Sequence, residues 1–181
     1  MFRFFLNGPV RKTDNMINKS RERTSSSSML NDRVLIGGIA GALGFLTRDV
    51  FSFFAKIIGL AKFYVWQITA NTFMDKKEVS TFFGNVVGIL GDITFGAVVG
   101  IFFVYFVKYT NTKNFLIKGW GIGLATWLLI YAILYRALPS SAASAPKDAL
   151  SNISAFFGHS ILGISMGIYA QILLKRYGLF D

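Results

Sequence analysis

The chain contains no cysteine, one histidine, three prolines and only nine acidic residues among 181. The absence of cysteine excludes disulfides, thiolate metal sites and lipidation on sulfur. A lone histidine excludes the HExxH zinc motif, and neither a GxSxG elbow nor a GxxxxGK(S/T) phosphate loop occurs. We therefore expect no enzymatic activity, no metal and no cofactor.

Charge is also scarce. Charged residues make up 15% of the chain and hydrophobic residues 53%, whereas a soluble domain has about 25% charged residues. The net charge is nevertheless +10. A nucleic-acid interface groups basic residues on one folded face, but here they lie in a tail and in short loops. We expect no nucleic-acid partner, and we expect the basic residues to contact anionic lipid headgroups.

Four long apolar stretches occupy most of the chain. Crossing a hydrocarbon core about 30 Å thick takes about 20 apolar residues, and each stretch is long enough. The fold class predicted is therefore all-α: a polytopic membrane protein with four transmembrane helices in a glycine-rich bundle. The predicted spans are residues 34–55, 84–107, 119–138 and 153–174.

The predicted membrane domain covers residues 33–177, between a long N-terminal arm and a short C-terminal tail at 178–181. Residues 1–32 are basic and include four consecutive serines from Ser25 to Ser28. That composition cannot bury a core, and it predicts a flexible arm.

The segment between spans one and two, Ile57 to Phe83, is too long for a simple turn. Within it, Gly59 to Met74 mixes Tyr64 and Trp66 with apolar and polar neighbours. Aromatic rings prefer the membrane interface, so this pattern predicts a short interfacial helix. A re-entrant half-helix is the alternative.

The distribution of basic residues predicts the orientation. With four spans both termini lie on one side of the membrane, and that side carries 12 Lys and Arg against 6 on the other, with Arg48 left inside span one. Basic loops stay in the cytoplasm. We expect a multi-pass protein of the cytoplasmic membrane with both termini in the cytoplasm.

Fifteen of the 18 glycines lie in the four spans, and many are spaced four residues apart. Small residues at this spacing let membrane helices approach closely. Packing within the monomer is the favoured interpretation, and a homo-oligomeric face or a membrane-protein partner stays open. The pairs are Gly37 and Gly41, Gly84 and Gly88, Gly96 and Gly100, Gly119 and Gly123, and Gly163 and Gly167.

Polar side chains are predicted at one depth of the bundle. Charged groups inside a span are costly, so each needs a partner or a hydrated face. A rise of about 1.5 Å per residue places them all in the outer half of the membrane. One arginine cannot neutralise two aspartates. A structural clasp is favoured, and a hydrated site for a proton, cation or small polar solute is the alternative. The layer consists of Arg48, Asp49, Asp92, Tyr131 and His159.

Several short segments carry a resemblance to a known group. They are GGIAGALG with Asp49 in span one, FGAVVGIFF from Phe95, TNTKNFLIKG from Thr110, WLLIYAI from Trp127 and GISMGIY from Gly163. With these segments, residues 34 to about 170 resemble small, uncharacterised four-span membrane proteins of Gram-positive bacteria, many of them anaerobic or spore-forming. The resemblance implies a four-helix fold in a bacterial cytoplasmic membrane and implies no activity.

Two functional hypotheses follow. The first is a non-enzymatic integral membrane protein, an assembly or accessory subunit packed through its glycine pairs. The second is a small transporter or channel component that uses the outer-half polar layer. The positions of Asp49, Asp92 and His159 discriminate between them, because a shared interior for these side chains favours permeation.

Overall fold

The computed structural model describes the backbone of residues 10–134 and 148–179, and the side chains of residues 33–133 and 148–179. Within these residues every regular element is helical and no strand occurs, which confirms the predicted all-α class. The elements are α1 (Val10–Ile57), α2 (Val65–Ala70), α3 (Phe82–Thr110), α4 (Phe115–Trp127), a π-helical segment (Leu128–Leu134) that continues α4, and α5 (Ala149–Arg176).

In the described part of the chain, four helical segments are long and apolar enough to cross a membrane. The chain therefore has the fold of a multi-pass integral membrane protein. The segments begin and end within a few residues of the predicted spans, except that the predicted end of span three at 138 lies outside the described residues. They are Arg33–Ile57, Phe82–Thr110, Phe115–Ile133 and Ala149–Arg176.

The N-terminal arm is helical where it is described. Helix α1 begins at Val10 and includes residues 10–32, whereas residues 1–9 lie outside the described residues, and the flexibility of the arm stays a prediction. No proline or glycine occurs between residues 10 and 32. A helix that extends an existing span also avoids the cost of a new nucleus, which favours helix in this segment.

The spans form an open row in the order α3, α1, α5, α4. Helix α1 packs against both α3 and α5, α4 packs against α5, and α3 and α4 barely touch. The end of the bundle near Arg33 holds an apolar core of residues such as Phe103, Met166 and Leu174. There Arg33 Nη2 donates to the carbonyl of Leu179, 3.2 Å away. The polar side chains lie in the opposite half.

Glycine backbones line both main helix contacts. On α1, Gly41 lies so close to α3 that a Cβ there would be 2.7 Å from the N and Cα atoms of Gly100. On α4, Gly123 lies similarly close to Gly163 of α5, where a Cβ would be 2.9 Å from the Cα atom. The remaining predicted glycines also face backbone within the monomer: Gly37 meets Gly100 and Ile101, Gly96 meets Gly41, Gly119 meets Gly163, Gly167 meets Phe115, Gly84 meets Glu78 and Val79, and Gly88 meets Trp66.

The segment between the first two spans does not lie flat along the bundle end. Helix α2 packs against the side of α3, and the Thr69 hydroxyl reaches the Asp92 carboxylate. Asp92 is ten residues inside α3, which is about 15 Å from the helix start. The contact shows that α2 lies along α3 within the bundle, and both the interfacial and the re-entrant placement of this segment stay predictions. The segment can pack against α3 because Gly88 has no side chain that would collide with the Trp66 backbone.

Candidate intramembrane polar site

Arg48 is the centre of the polar site. Its side chain is fully enclosed, with 1% of the residue exposed. The Nη2 atom donates to Asp49 Oδ1 at 2.9 Å and to Asp92 Oδ2 at 2.5 Å, and Nε also donates to Asp49 Oδ1 at 3.2 Å. The guanidinium lies over the ring of Phe45, 4.4 Å from its centroid. One cation is thus held between two carboxylates.

Helix geometry explains why these groups meet. Phe45, Arg48, Asp49 and Ser52 follow the spacing of one helix face on α1, and all four are buried. The neighbouring α3 presents Asp92 four residues before Gly96, whose missing side chain lets Phe45 pack against the α3 backbone. The close glycine contact therefore holds Asp92 within reach of Arg48.

Helix α2 supplies a polar partner that the sequence did not indicate. Thr69 Oγ1 donates to Asp92 Oδ1 at 2.6 Å, so both oxygens of this carboxylate are engaged. Nearer the start of α3, Asn85 Oδ1 accepts from Trp66 Nε1 at 2.7 Å and from Gln67 Nε2 at 3.3 Å. No local motif marks Thr69 as a site residue, because its contact with Asp92 depends on the packing of α2 against α3.

His159 lies on the face of α5 that is turned toward Arg48. The residue is fully buried, and its Nδ1 is 2.9 Å from the carbonyl oxygen of Ala155. That carbonyl only accepts, so Nδ1 carries the proton. Nε2 is buried and has no hydrogen-bond partner among the described residues. The Tyr131 ring, from the π-helical segment, meets the His159 ring edge to face at 5.6 Å.

Two cavities adjoin Arg48, Tyr131 and His159. The lateral cavity has a volume of about 160 Å³ and lies between α2, α3 and the π-helical segment, where α3 and α4 do not pack together. Asp92, Thr69 and Phe95 also line it. The second cavity has a volume of about 20 Å³, which is room for about one water molecule. It extends along α5 past Ser154 and Ser151 toward Lys62.

An ion pair lies where this second cavity reaches Lys62. Lys62 Nζ is 3.3 Å from Asp148 Oδ2, which belongs to the residue that caps the N-terminus of α5. The backbone amide of Ser151 donates to the Asp148 carboxylate at 2.9 Å, and this bond together with Lys62 holds the pKa of Asp148 below its usual value.

The site carries an imbalance of charge. With both carboxylates ionised, Arg48, Asp49 and Asp92 sum to one excess negative charge. Asp49 Oδ2 is buried and, like His159 Nε2, has no hydrogen-bond partner among the described residues. Within those residues no group of three or more His, Cys, Asp or Glu side chains could hold a metal ion. When both carboxylates are ionised, the site therefore presents hydrogen-bond acceptors beside one excess negative charge.

The structure brings all five predicted layer residues together, but not every polar neighbour joins them. Thr47 donates to the Leu43 carbonyl and lies 3.2 Å from the Tyr169 hydroxyl, on a different face. Thr94 is exposed and donates only to the Leu90 carbonyl. Hydroxyls on a membrane helix often bond their own backbone in this way, so depth alone does not identify site members.

No family model, curated protein or solved structure matches this chain. The resemblance to the Gram-positive four-span group stays an expectation, and function has to be argued from the geometry of the polar site.

Proposed function

We propose that the chain is a small membrane transporter or channel component that passes a proton or a small cation through its intramembrane polar site. One observation carries the proposal: Arg48, Asp92, Tyr131 and His159, contributed by four different parts of the chain, all line the same lateral cavity. Charged and polar side chains inside a span are costly, and such side chains around one cavity are typical of a solute or ion pathway.

The alternative of a simple clasp explains less of the site. A clasp needs Arg48 and one carboxylate, and the Asp92 pair alone would neutralise the arginine. Asp49 is a second buried carboxylate that this pairing does not require, and one of its oxygens has no partner in the described structure. Leaving an acceptor unpaired costs about 1–3 kcal/mol, and more for a charged group. A group that binds and releases a cation accounts for this cost.

Proton flux in proteoliposomes tests the proposal. The purified chain is reconstituted with a trapped pH-sensitive dye, and a potassium gradient with valinomycin sets an inside-negative potential. We expect acidification of the lumen with the wild-type protein and at least a tenfold slower rate with Asp49→Asn. Asp75→Asn is the matched control, because Asp75 is exposed outside the polar site and its change should leave the rate unaltered.

One outcome of the flux assay would show that the polar site is not the pathway. If Asp49→Asn, shown to be folded by its circular dichroism and elution volume, conducts as fast as the wild type, the site is not the pathway. The assay is repeated without valinomycin, with an inward gradient of sodium or potassium and a trapped dye selective for that ion, so that a cation other than the proton is detected. Absence of flux for all of these ions with folded wild-type protein contradicts the proposal.

An accessory subunit is the second candidate, and one observation favours it. Both carboxylates already bond the Arg48 Nη2 atom, so the site is fully formed as a cross-link between α1 and α3. In this role the protein would be non-enzymatic, and its glycine pairs would serve packing within the monomer. Partners would then bind exposed apolar faces such as those with Leu90 and Val98. A folded, non-conducting wild type favours this candidate.

We propose that both termini face the cytoplasm across the plasma membrane. The support is the excess of Lys and Arg on the side of the termini and of the loop between α3 and α4. Because the chain has no native cysteine, single cysteines report orientation directly. A membrane-impermeant maleimide should label Ser80→Cys in intact cells, and Thr112→Cys only after permeabilisation. The reverse pattern contradicts the orientation.

A further inference from the structure

We infer that the lateral cavity binds a small primary ammonium cation that carries a short apolar tail. The inference rests on the proposed function and specifies the chemistry of the cation. Three independent features of the cavity point to this class: the sign of the charge at its inner end, the kind of hydrogen-bonding atoms there, and the shape and composition of its walls.

The charge at the inner end selects a cation. Arg48 and Asp92 both line the lateral cavity, and Asp92 shares the single guanidinium of Arg48 with Asp49, which lies behind it. The cluster therefore keeps one unit of negative charge when both carboxylates are ionised. In a membrane interior this charge is costly, and a monovalent cation beside Asp92 neutralises it. An anion would meet net repulsion at the same place.

The hydrogen-bonding atoms select a donor. His159 Nδ1 is committed to the Ala155 carbonyl, so in the neutral ring the buried Nε2 is an acceptor without a partner among the described residues. Asp92 adds carboxylate oxygens, which also accept. A primary ammonium has three N–H donors and suits several acceptors at once, whereas a quaternary ammonium of similar charge has none.

The walls select an apolar tail. Beyond Asp92 the lateral cavity is bordered by the rings of Phe73, Phe95 and Tyr131. Aromatic rings attract cations and also pack against methylene groups. The volume of about 160 Å³ compares with an engineered cavity of about 150 Å³ that admits benzene. Phe73 is 67% exposed and Phe95 is 36% exposed, so this end opens toward the lipid-facing side of the bundle.

The test uses n-butylammonium as the probe, with tetramethylammonium and butyrate as comparisons. Each compound is titrated into the full chain in detergent by isothermal calorimetry, at fixed pH and ionic strength. We expect butylammonium to bind at least tenfold more tightly than tetramethylammonium, and butyrate to show no binding. Asp49→Asn should weaken butylammonium binding about tenfold, because it removes the excess charge, while Asp75→Asn should leave the affinity unchanged.

Each outcome decides the inference. Equal affinity for the two cations contradicts the donor requirement, and tighter binding of butyrate contradicts the charge argument. If butylammonium does not bind while Asp49-dependent proton flux persists, the ammonium inference is wrong and the proposed function stands. If both binding and flux are absent in folded protein, both are wrong. Binding that is unchanged by Asp49→Asn places the ligand elsewhere and also contradicts the inference.

Discussion

Removing the charge of Arg48 should damage the protein far more than removing the charge of Asp49. In Arg48→Met, two buried carboxylates lose their common cation, and breaking a buried ion pair by removing one partner costs about 3–5 kcal/mol. In Asp49→Asn, Arg48 keeps its bond to Asp92, which is further held by Thr69, and the excess negative charge disappears. We expect this variant to lie within about 1 kcal/mol of the wild type, as a substitution that removes no required partner.

The triple variant Arg48→Met, Asp49→Asn and Asp92→Asn completes the comparison. Because it removes the cation and both anions together, it should recover most of the stability that Arg48→Met loses. Unfolding is followed in mixed micelles by tryptophan fluorescence as the fraction of denaturing detergent increases. Equal instability of Asp49→Asn and Arg48→Met would contradict the proposed charge balance around Arg48. A triple variant that is no more stable than Arg48→Met would also contradict it.

Two further predictions concern packing and the outer end of α5. Gly41→Ala should destabilise the bundle by about 1–3 kcal/mol, because its Cβ would meet the backbone of α3, whereas Gly38→Ala, with its nearest neighbour 3.9 Å away, should be close to neutral in the same unfolding assay. The Asp148 carboxylate has a lowered pKa through its bonds from Ser151 and its pair with Lys62, so it stabilises the fold above the unfolded pKa of about 3.9. The melting temperature of the wild type should therefore exceed that of Asp148→Ala at pH 6, and the difference should narrow as the pH falls below about 4; a constant difference contradicts this.

The spans and the depth of the polar layer could be predicted from the sequence because both depend on quantities that are local to a helix. Length and hydropathy determine a span, and the rise per residue places Arg48, Asp49 and Asp92 at one level. Whether such residues face one another depends on helix rotation and crossing. The close approach at Gly41 and Gly96 brings the α1 and α3 faces together, and this pairing is a tertiary property.

The position of α2 could not be predicted in the same way. Tyr64 and Trp66 suit an interface by their chemistry, and they do stack on each other with ring centroids 4.5 Å apart. Helix α2 packs along α3 because Gly88 has no side chain and leaves room for the Trp66 backbone. Hydrogen bonds to Asn85 and Asp92 hold α2 in this place. Each of these groups lies about 20 residues away in sequence. The contact between Thr69 and Asp92 and the lateral cavity both result from the packing of α2 against α3.

The π-helical segment that carries Tyr131 also lacked a sequence signal. Residues 128–134 are as apolar as the rest of their span, and no proline or glycine interrupts them. π-turns inside helices are frequent at functional sites, and here the segment directs the Tyr131 ring onto His159. The sequence predicts that Tyr131 and His159 lie in the outer half of the bundle. It does not predict their ring contact, which depends on a local change in helical winding.

The most direct test of the central claim is the rate of proton or cation entry into proteoliposomes at a fixed membrane potential, for wild type, Asp49→Asn and Asp75→Asn. We expect flux in the wild type and in Asp75→Asn, and at least a tenfold loss in Asp49→Asn with the fold intact. Equal rates in all three proteins, or no flux with folded wild-type protein for any of the three ions, would contradict it.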